Sequence, residues 1–239
     1  KAAGGVRAQF ADPVNIDLAR RSISAFERFN ERPGGEIDLR QVGYLFLHDD
    51  EDVVSAFETN IALQNAMGVP SRLIEPAEAA NLSPLIATEG LIAAAFCATD
   101  GHCTPEAVVL GYATAARRRG AQLITNCPIT SITPNSGDSF LVHTPGGSIT
   151  ASAVICAAGA WSQGVGAWVD VDLPVTPLRR QTVITEPIPD LPAQLPMTVD
   201  FSSTFYFHAE GPGLLIGMSD PNEQPGFDMS RSHEWLPGL

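Results

Sequence analysis

The stretch VICAAGAWS, residues 154–162, has residue types that suggest ligand chemistry. Small and apolar residues lead to Gly159, and a large aromatic residue, Trp161, follows two positions later. Because glycine has no Cβ, a flat ligand could approach the main chain closely at this point. The run is typical of a buried strand that ends in a glycine turn, and many α/β proteins contain such turns without a ligand. The sequence therefore predicts either a ligand-contacting corner or an ordinary turn.

Two other stretches carry side chains suited to a small polar molecule. Arg179 and Arg180 precede a strand, and guanidinium groups match the geometry of a carboxylate. A solvated arginine pair explains them equally well. In STFYFHAE, strand periodicity places Tyr206 and His208 on one face and Phe205 and Phe207 on the other. Packing is the alternative role for Tyr206, and a surface position is the alternative for His208.

The composition excludes several classes of protein. The 239 residues carry a net charge of −13, which argues against a nucleic-acid-binding surface. No apolar run approaches the roughly 20 residues that a membrane span needs. Four cysteines show neither CxxC nor zinc-type spacing, so we expect no metal site. Their scatter through apolar segments indicates reduced thiols and a cytoplasmic protein. His102 and His143 are interpreted as structural.

Helices and strands that could position these residues alternate along the chain. Helical periodicity covers residues 13–30 and 51–67, and Thr104-Pro105-Glu106 opens a third helix that ends at Gly120. Leu73–Glu78 indicates a short strand that turns into a helix. The predicted strands are QVGYLFLHDD, the extended segment ATEGLIAAAFCATDG that ends in an Asp-Gly turn, AQLIT, three short strands ending with VICAA that form a β-meander, RRQTVITE, TFYFHAE and GLLIGMSD. This order predicts a mixed α+β or α/β fold with two interleaved domains and an antiparallel sheet in one of them.

A combination of motifs resembles the D-amino-acid-oxidase-like family of FAD-dependent oxidoreductases, which includes glycine oxidase, sarcosine oxidase and dimethylglycine dehydrogenase. The sarcosine oxidase β-subunit type is the most similar. The motifs are Asp100-Gly101 with Pro105, the helix that ends at Gly120, the strand AQLIT, Cys127-Pro128-Ile129, VICAAGAWS, AAGGVRAQF and PLRRQ. The resemblance extends over essentially the whole chain. It implies an FAD-binding-type domain formed by residues 1–35 and 92–175, and a substrate-binding-type domain formed by residues 36–91 and 176–239.

The resemblance also implies roles for individual residues. The backbone of Ile129 would contact the adenine edge of FAD, and Ala157, Ala158, Gly159 and Trp161 would lie against the nucleotide half. Ala3, Gly4, Gly5 and Val6 would contact the flavin ring with backbone amides. Arg7 would stabilise negative charge on the ring, with a solvated loop arginine as its alternative. Tyr206 would orient the substrate. A plain core aromatic is the alternative for Trp161.

One departure separates this sequence from the family pattern. The family begins with a strand and G-x-G-x-x-G, and neither Gly164-Val165-Gly166 nor Gly211-Pro212-Gly213 has the third glycine in place. The family's C-terminal segment is missing as well. We therefore expect this chain to be an incomplete central portion of a longer flavoenzyme, which by itself is inactive and binds FAD poorly or not at all.

The implied activity of the longer protein is oxidation of a small secondary amine or amino acid by hydride transfer to flavin N5. Its expected partners are that substrate and other subunits, in a hetero-oligomer of the sarcosine oxidase type, with neither nucleic acid nor membrane. A non-catalytic interaction module that retains the flavoenzyme fold is the alternative. An NAD-dependent dehydrogenase is a third hypothesis, against which the missing glycine motif also counts.

Overall fold

The computed structural model describes residues 2–232, which divide into two compact units. The first unit contains the residues up to Ala121 together with Gln181–Ser219. The second contains Gln122–Arg180 together with residues 220–232. These boundaries differ from those of the two predicted domains. Compactness does not show which ligand a unit binds, so the assignment of an FAD-binding and a substrate-binding domain stays a prediction.

Four helices of the first unit begin where the sequence provides caps or prolines. Asp12 accepts a hydrogen bond from the Asn15 amide, and Asp50 accepts from the amides of Asp52 and Val53, so each carboxylate satisfies amides that lack a partner within the helix. Proline occupies the first turn of the other two, as it does in α1. The helices are α1 (Pro13–Glu27), α2 (Glu51–Ala66), α3 (Pro76–Leu82) and α4 (Pro105–Arg118).

A mixed sheet of seven strands forms the centre of the first unit. The strands of this unit are β1 (Gly5–Val6), β2 (Tyr44–His48), β3 (Arg72–Ile74), β4 (Ala93–Cys97), β5 (Gly101–His102), β9 (Thr182–Ile184), β10 (Met197–Asp200), β11 (Tyr206–Glu210) and β12 (Gly213–Gly217). The strand order in the mixed sheet is β3-β4-β2-β10-β11-β12-β9, in which β2 pairs with β10 in parallel and all other neighbours are antiparallel. A separate two-stranded ribbon pairs β1 with β5.

The inner strand β2 is buried on both faces, and its alternate side chains enter different parts of the core. Leu45 and Leu47 pack with Ile74 and Phe96 on one side. Tyr44 and Phe46 pack on the other side, in a cluster with Ile61, Ala95 and Met197 that we call the tyrosine cluster. Tyr206 packs against the tyrosine cluster, whereas Phe207 packs with Leu195 and Leu214. The predicted separation of these two side chains onto opposite faces of β11 is confirmed.

The second unit contains the predicted β-meander. β6 (Ser131–Asn135), β7 (Ser139–Thr144) and β8 (Gly147–Ala151) form an antiparallel sheet in chain order. A single 3₁₀ turn, Gly159–Trp161, leads directly into α5 (Ser162–Ala167). Together with the mixed sheet of the first unit, this confirms the predicted mixed α/β fold class with an antiparallel sheet.

One predicted strand was wrong, and the third strand of the meander ends at Ala151, earlier than predicted. Residues 121–125 (AQLIT) and 154–158 (VICAA) are irregular, and no described strand pairs with either. Ile124 and Ile155 are exposed, the latter to 91%. An apolar run becomes a strand only when a neighbouring strand takes up its backbone hydrogen bonds, and the described residues offer these two runs no such neighbour. The corner at Gly159 therefore follows an exposed irregular segment rather than a buried strand.

Candidate functional site

The backbone of the stretch Ala3–Gly5 is held in place by contacts with three residues. The Cys103 amide donates to the Gly4 carbonyl at 2.9 Å, and Gly5 pairs with His102 in the β1–β5 ribbon. The His208 ring contacts the Ala3 carbonyl at 2.8 Å. Gly4 has φ +82°, and a Cβ at this position would lie 2.3 Å from the Cys103 carbonyl oxygen. Only glycine fits at this position, and its lack of a side chain lets the stretch lie close to β5. The backbone of Gly5 stays exposed.

Arg7, two residues after that stretch, carries a positive charge among aromatic rings. The centre of its guanidinium group lies 4.2 Å from the ring centroid of Phe10, 5.4 Å from that of Phe46 and 5.8 Å from that of Tyr44. It also donates to the Gln9 carbonyl, and it forms no ion pair with a carboxylate of the described residues. These rings hold the half-buried cation against the protein surface, and its role beside a flavin ring stays a prediction.

Tyr206 and Arg7 lie against the same tyrosine cluster. Tyr206 packs on it from β11, and its register partner in β12 is Gly217. Burial raises the pKa of Tyr44 within the cluster, an effect that the Arg7 charge opposes. The structure thus brings both predicted catalytic residues, Arg7 and Tyr206, to one aromatic patch next to the Ala3–Gly5 stretch. The catalytic roles of the two residues stay predictions.

Asp100 is a buried carboxyl group for which the sequence analysis proposed no role beyond a turn motif. It accepts hydrogen bonds from the Ala8 amide at 3.0 Å and from the Gln9 side-chain amide at 3.3 Å. Burial raises its pKa to about 6, although these hydrogen bonds act in the opposite direction. Asp100 therefore fixes the two residues that follow Arg7. The Asp-Gly pair was the available signal in the sequence, but its contact with residues more than 90 positions away could not be read from it.

Two buried histidines stack beneath the same stretch. The rings of His102 and His208 lie 4.4 Å apart with an interplanar angle of 30°. Burial lowers the pKa of His102 to about 4, and the neighbouring His208 contributes in the same direction. The structural interpretation of His102 agrees with its burial. The surface alternative for His208 is wrong, since that residue is only 1% exposed.

The second unit presents the residues predicted to contact the nucleotide. Gly159 has φ +56°, and a Cβ at this position would meet no heavy atom within 4 Å. Trp161 is 51% exposed and stacks on Phe227 at 5.9 Å, so it is not a core aromatic. Ala157 and Ile129 are also exposed, and Ala158 is half-buried. The Gly159 corner is therefore exposed to solvent, and its contact with a nucleotide stays a prediction.

Arg179, one of the two arginines suited to bind a carboxylate, forms ion pairs within the second unit. Its guanidinium group contacts the carboxylate of Glu223 at 3.1 Å and that of Asp228 at 3.0 Å. It also donates to the carbonyl and hydroxyl oxygens of Ser230. These contacts use the guanidinium donors that a substrate carboxylate would need.

Within residues 2–232, no helix has the length and apolarity that crossing a bilayer requires. The same residues contain no group of three His, Cys, Asp or Glu side chains arranged to hold a metal ion.

Comparison with solved structures shows which known proteins share this fold. L-proline dehydrogenase from P. horikoshii superposes with a TM-score of 0.88 and 30% identity, covering 99% of this chain and 63% of that one. Glycine oxidase from Geobacillus kaustophilus gives a TM-score of 0.81 and 27% identity, covering 97% of this chain and 63% of that one. The family described as FAD dependent oxidoreductase matches residues 1–237, and the chain belongs to this family, whose cofactor is FAD.

Curated relatives agree with this assignment. Mitochondrial dimethylglycine dehydrogenase of Rattus norvegicus is 30% identical over 226 residues, and mitochondrial sarcosine dehydrogenase of Homo sapiens is 30% identical over 217 residues. These matches cover 93% and 87% of this chain but only 26% and 23% of the relatives. The chain therefore spans about a quarter of the length of these dehydrogenases.

Proposed function

We propose that the whole protein oxidises a small secondary amine or amino acid with FAD as its cofactor. The observation that carries this proposal is Arg7, a cation fixed by three aromatic rings and without a described carboxylate partner, next to the small residues Ala3–Gly5. When bound, FAD supplies the hydride acceptor for the carbon next to the substrate nitrogen, and water then hydrolyses the resulting imine.

The residues of the first unit fit a flavin ring in both shape and charge. The stretch Ala3–Val6 has small side chains and an exposed backbone at Gly5, so its amides can face a polar ring edge. The guanidinium group of Arg7 favours negative charge that develops beside it. Tyr206 orients the substrate from β11, at the edge of the tyrosine cluster. In this proposal both side chains act through position and charge, and neither transfers a proton.

In the second unit, the residues around the Gly159 corner are proposed to contact the nucleotide half of FAD. Open space at Gly159 and an exposed, stacked Trp161 support this role, because a flat ring system can lie on bare peptide next to an aromatic side chain. The proposed contacts come from Ile129, Ala157, Ala158, Gly159 and Trp161.

The names of the relatives support the substrate class. They act on dimethylglycine, sarcosine, proline or glycine, which are all small amino acids, and three of these carry an alkylated nitrogen. We propose that this protein takes a substrate of the same class. Hydride removal from the carbon beside a nitrogen is then the common chemistry.

Purification of the product of the full coding sequence tests this function. We expect a yellow protein whose flavin absorbance bleaches without oxygen when sarcosine, dimethylglycine, proline or glycine is added. Arg7→Gln should slow the bleaching by roughly tenfold or more, since it removes the fixed charge. Arg21→Gln is the matched control, because Arg21 is exposed and paired with Asp17 in α1. A folded, colourless protein, or equal bleaching rates for both variants, would contradict the proposal.

A further inference from the structure

His208 makes contacts that neither the proposed mechanism nor the family comparison assigns a role. Its Nε2 atom lies 2.8 Å from the Ala3 carbonyl oxygen, and its Nδ1 atom lies 2.8 Å from the Ala209 carbonyl oxygen. One ring face stacks on His102. Both edge contacts are with carbonyl oxygens, and a neutral imidazole has one N–H, so the ring can donate to only one of the two.

The contact with Ala3 joins residues 205 positions apart in the chain. A carbonyl oxygen has no proton to donate, so the contact is a hydrogen bond only when Nε2 carries the proton. The carbonyl of the next residue, Gly4, accepts from the Cys103 amide. Two consecutive carbonyls of the Ala3–Gly5 stretch are thus fixed from inside the protein, which sets the orientation of the peptide planes between them.

We propose that His208 is a positioning residue, whose Nε2–H donates to the Ala3 carbonyl and fixes the Ala3–Gly5 backbone next to Arg7. Its effect on catalysis rests on the function proposed above, whereas its effect on the backbone does not. His208 lies two residues after Tyr206, on the same face of β11. One strand therefore carries both the substrate-orienting tyrosine and the anchor of the flavin-contacting stretch.

Amide hydrogen exchange of the 239-residue chain tests the anchor without any cofactor. His208→Asn removes a donor at the Nε2 position, whereas the longer side chain of His208→Gln can place an amide donor near it. We expect peptides containing residues 3–6 and 101–103 to exchange roughly five- to tenfold faster in the asparagine variant, with slow exchange restored in the glutamine variant. Equal exchange in the two variants would overturn the proposal.

His48→Asn is the control for a general loss of stability. His48 is equally buried in the same sheet, but its ring nitrogens have no hydrogen-bond partner among the described residues. This variant should leave the exchange of residues 3–6 unchanged. If it accelerates that exchange as much as His208→Asn does, the effect is global and the proposal fails.

Nitrogen NMR of the unmodified protein covers the case in which the His208 variants do not fold. We expect the ring-nitrogen chemical shifts to show a proton on Nε2 of His208. A bare Nε2 with the proton on Nδ1 would overturn the anchor.

Flavin reduction in the whole protein then separates this proposal from the proposed function. We expect His208→Asn to lower the bleaching rate about tenfold with little change in KM, and His208→Gln to recover most of the rate. Fast exchange with an unchanged bleaching rate would overturn the catalytic part of the proposal. A colourless whole protein would contradict the proposed function while leaving the exchange result valid.

Discussion

Tyr206 keeps its place over the sheet because the neighbouring strand has no side chain at Gly217. These two residues are register partners in β11 and β12. A Cβ built at Gly217 would lie 2.3 Å from the tyrosine ring and its hydroxyl. The position of the proposed substrate-orienting residue therefore depends on one missing methyl group in the adjacent strand.

Gly217→Ala should displace the Tyr206 ring and lower the free energy of unfolding by about 1–3 kcal/mol, the usual cost of overpacking. Urea denaturation measures this loss. The matched control is Gly164→Ala in α5, where a Cβ would meet no heavy atom within 4 Å. There the change should be neutral or stabilising by up to about 1 kcal/mol, because alanine favours a helix. Equal midpoints for the two variants would show that Gly217 is not needed for packing.

At the residue scale, the types of Arg7 and Tyr206 could be recognised from the sequence, but their surroundings could not. Nothing near Arg7 in the chain shows that Tyr44 and Phe46 lie within reach of its guanidinium group. His208 was placed correctly on a strand face, but its burial depends on the Ala3–Gly5 stretch and on His102. These contacts form between distant parts of the chain, whereas periodicity reports only neighbours.

At the scale of helices, side-chain caps determine where the elements begin. Asp50 bonds two amides at the start of α2, so Asp50→Ala should lower the free energy of unfolding by about 1 kcal/mol. Thr104 occupies the same position before α4 without a side-chain hydrogen bond to the helix, so Thr104→Ala should change stability by less than about 0.5 kcal/mol. Thermal melting of both variants provides the comparison. A larger loss for the threonine variant would contradict this assignment of caps.

The helices and the hairpin that form through local interactions were predicted correctly, whereas two apolar runs that would need a partner strand were not. α1, α2, α4 and the β11–β12 hairpin were predicted because caps, periodicity and the turn at residues 211–213 are local signals. AQLIT and VICAA have equally suitable compositions for strands, yet both are irregular. A strand needs a hydrogen-bonding neighbour, which composition does not reveal. For VICAAGAWS, the predicted strand is therefore wrong over residues 154–158, whereas the predicted ligand contact at Gly159 stays a prediction.

At the scale of the whole molecule, two buried histidines and one buried carboxyl group make stability depend on pH. His48 lies among Phe57 and Phe201, and burial lowers its pKa from 6.5 to about 4. Burial also lowers the pKa of His102 from 6.5 to about 4. For Asp100 the pKa shift has the opposite sign, because burial raises the pKa of this carboxyl group from 3.8 to about 6.

The sign of each contribution follows from which state binds more protons. Between pH 6.5 and 4 the unfolded chain protonates His48 and His102 and the folded chain does not, so their contribution is complete above pH 6.5 and is lost as the pH falls. Asp100 binds its proton more tightly when folded, so its contribution is present below pH 3.8 and is lost as the pH rises through 6. Two histidines outweigh one carboxyl group, and the free energy of unfolding should fall between pH 7 and 4.

His48→Leu should remove half of the histidine contribution to this loss. Each histidine accounts for at most about 3.5 kcal/mol, from the difference between its folded and unfolded pKa values. The variant should also be at least as stable as the original at pH 7, because its apolar side chain replaces two ring nitrogens that have no described partner. Urea denaturation at several pH values measures both effects. If the variant loses as much stability as the original chain between pH 7 and 4, then His48 is not held neutral by its burial among Phe57 and Phe201, and the acid sensitivity must come from other groups.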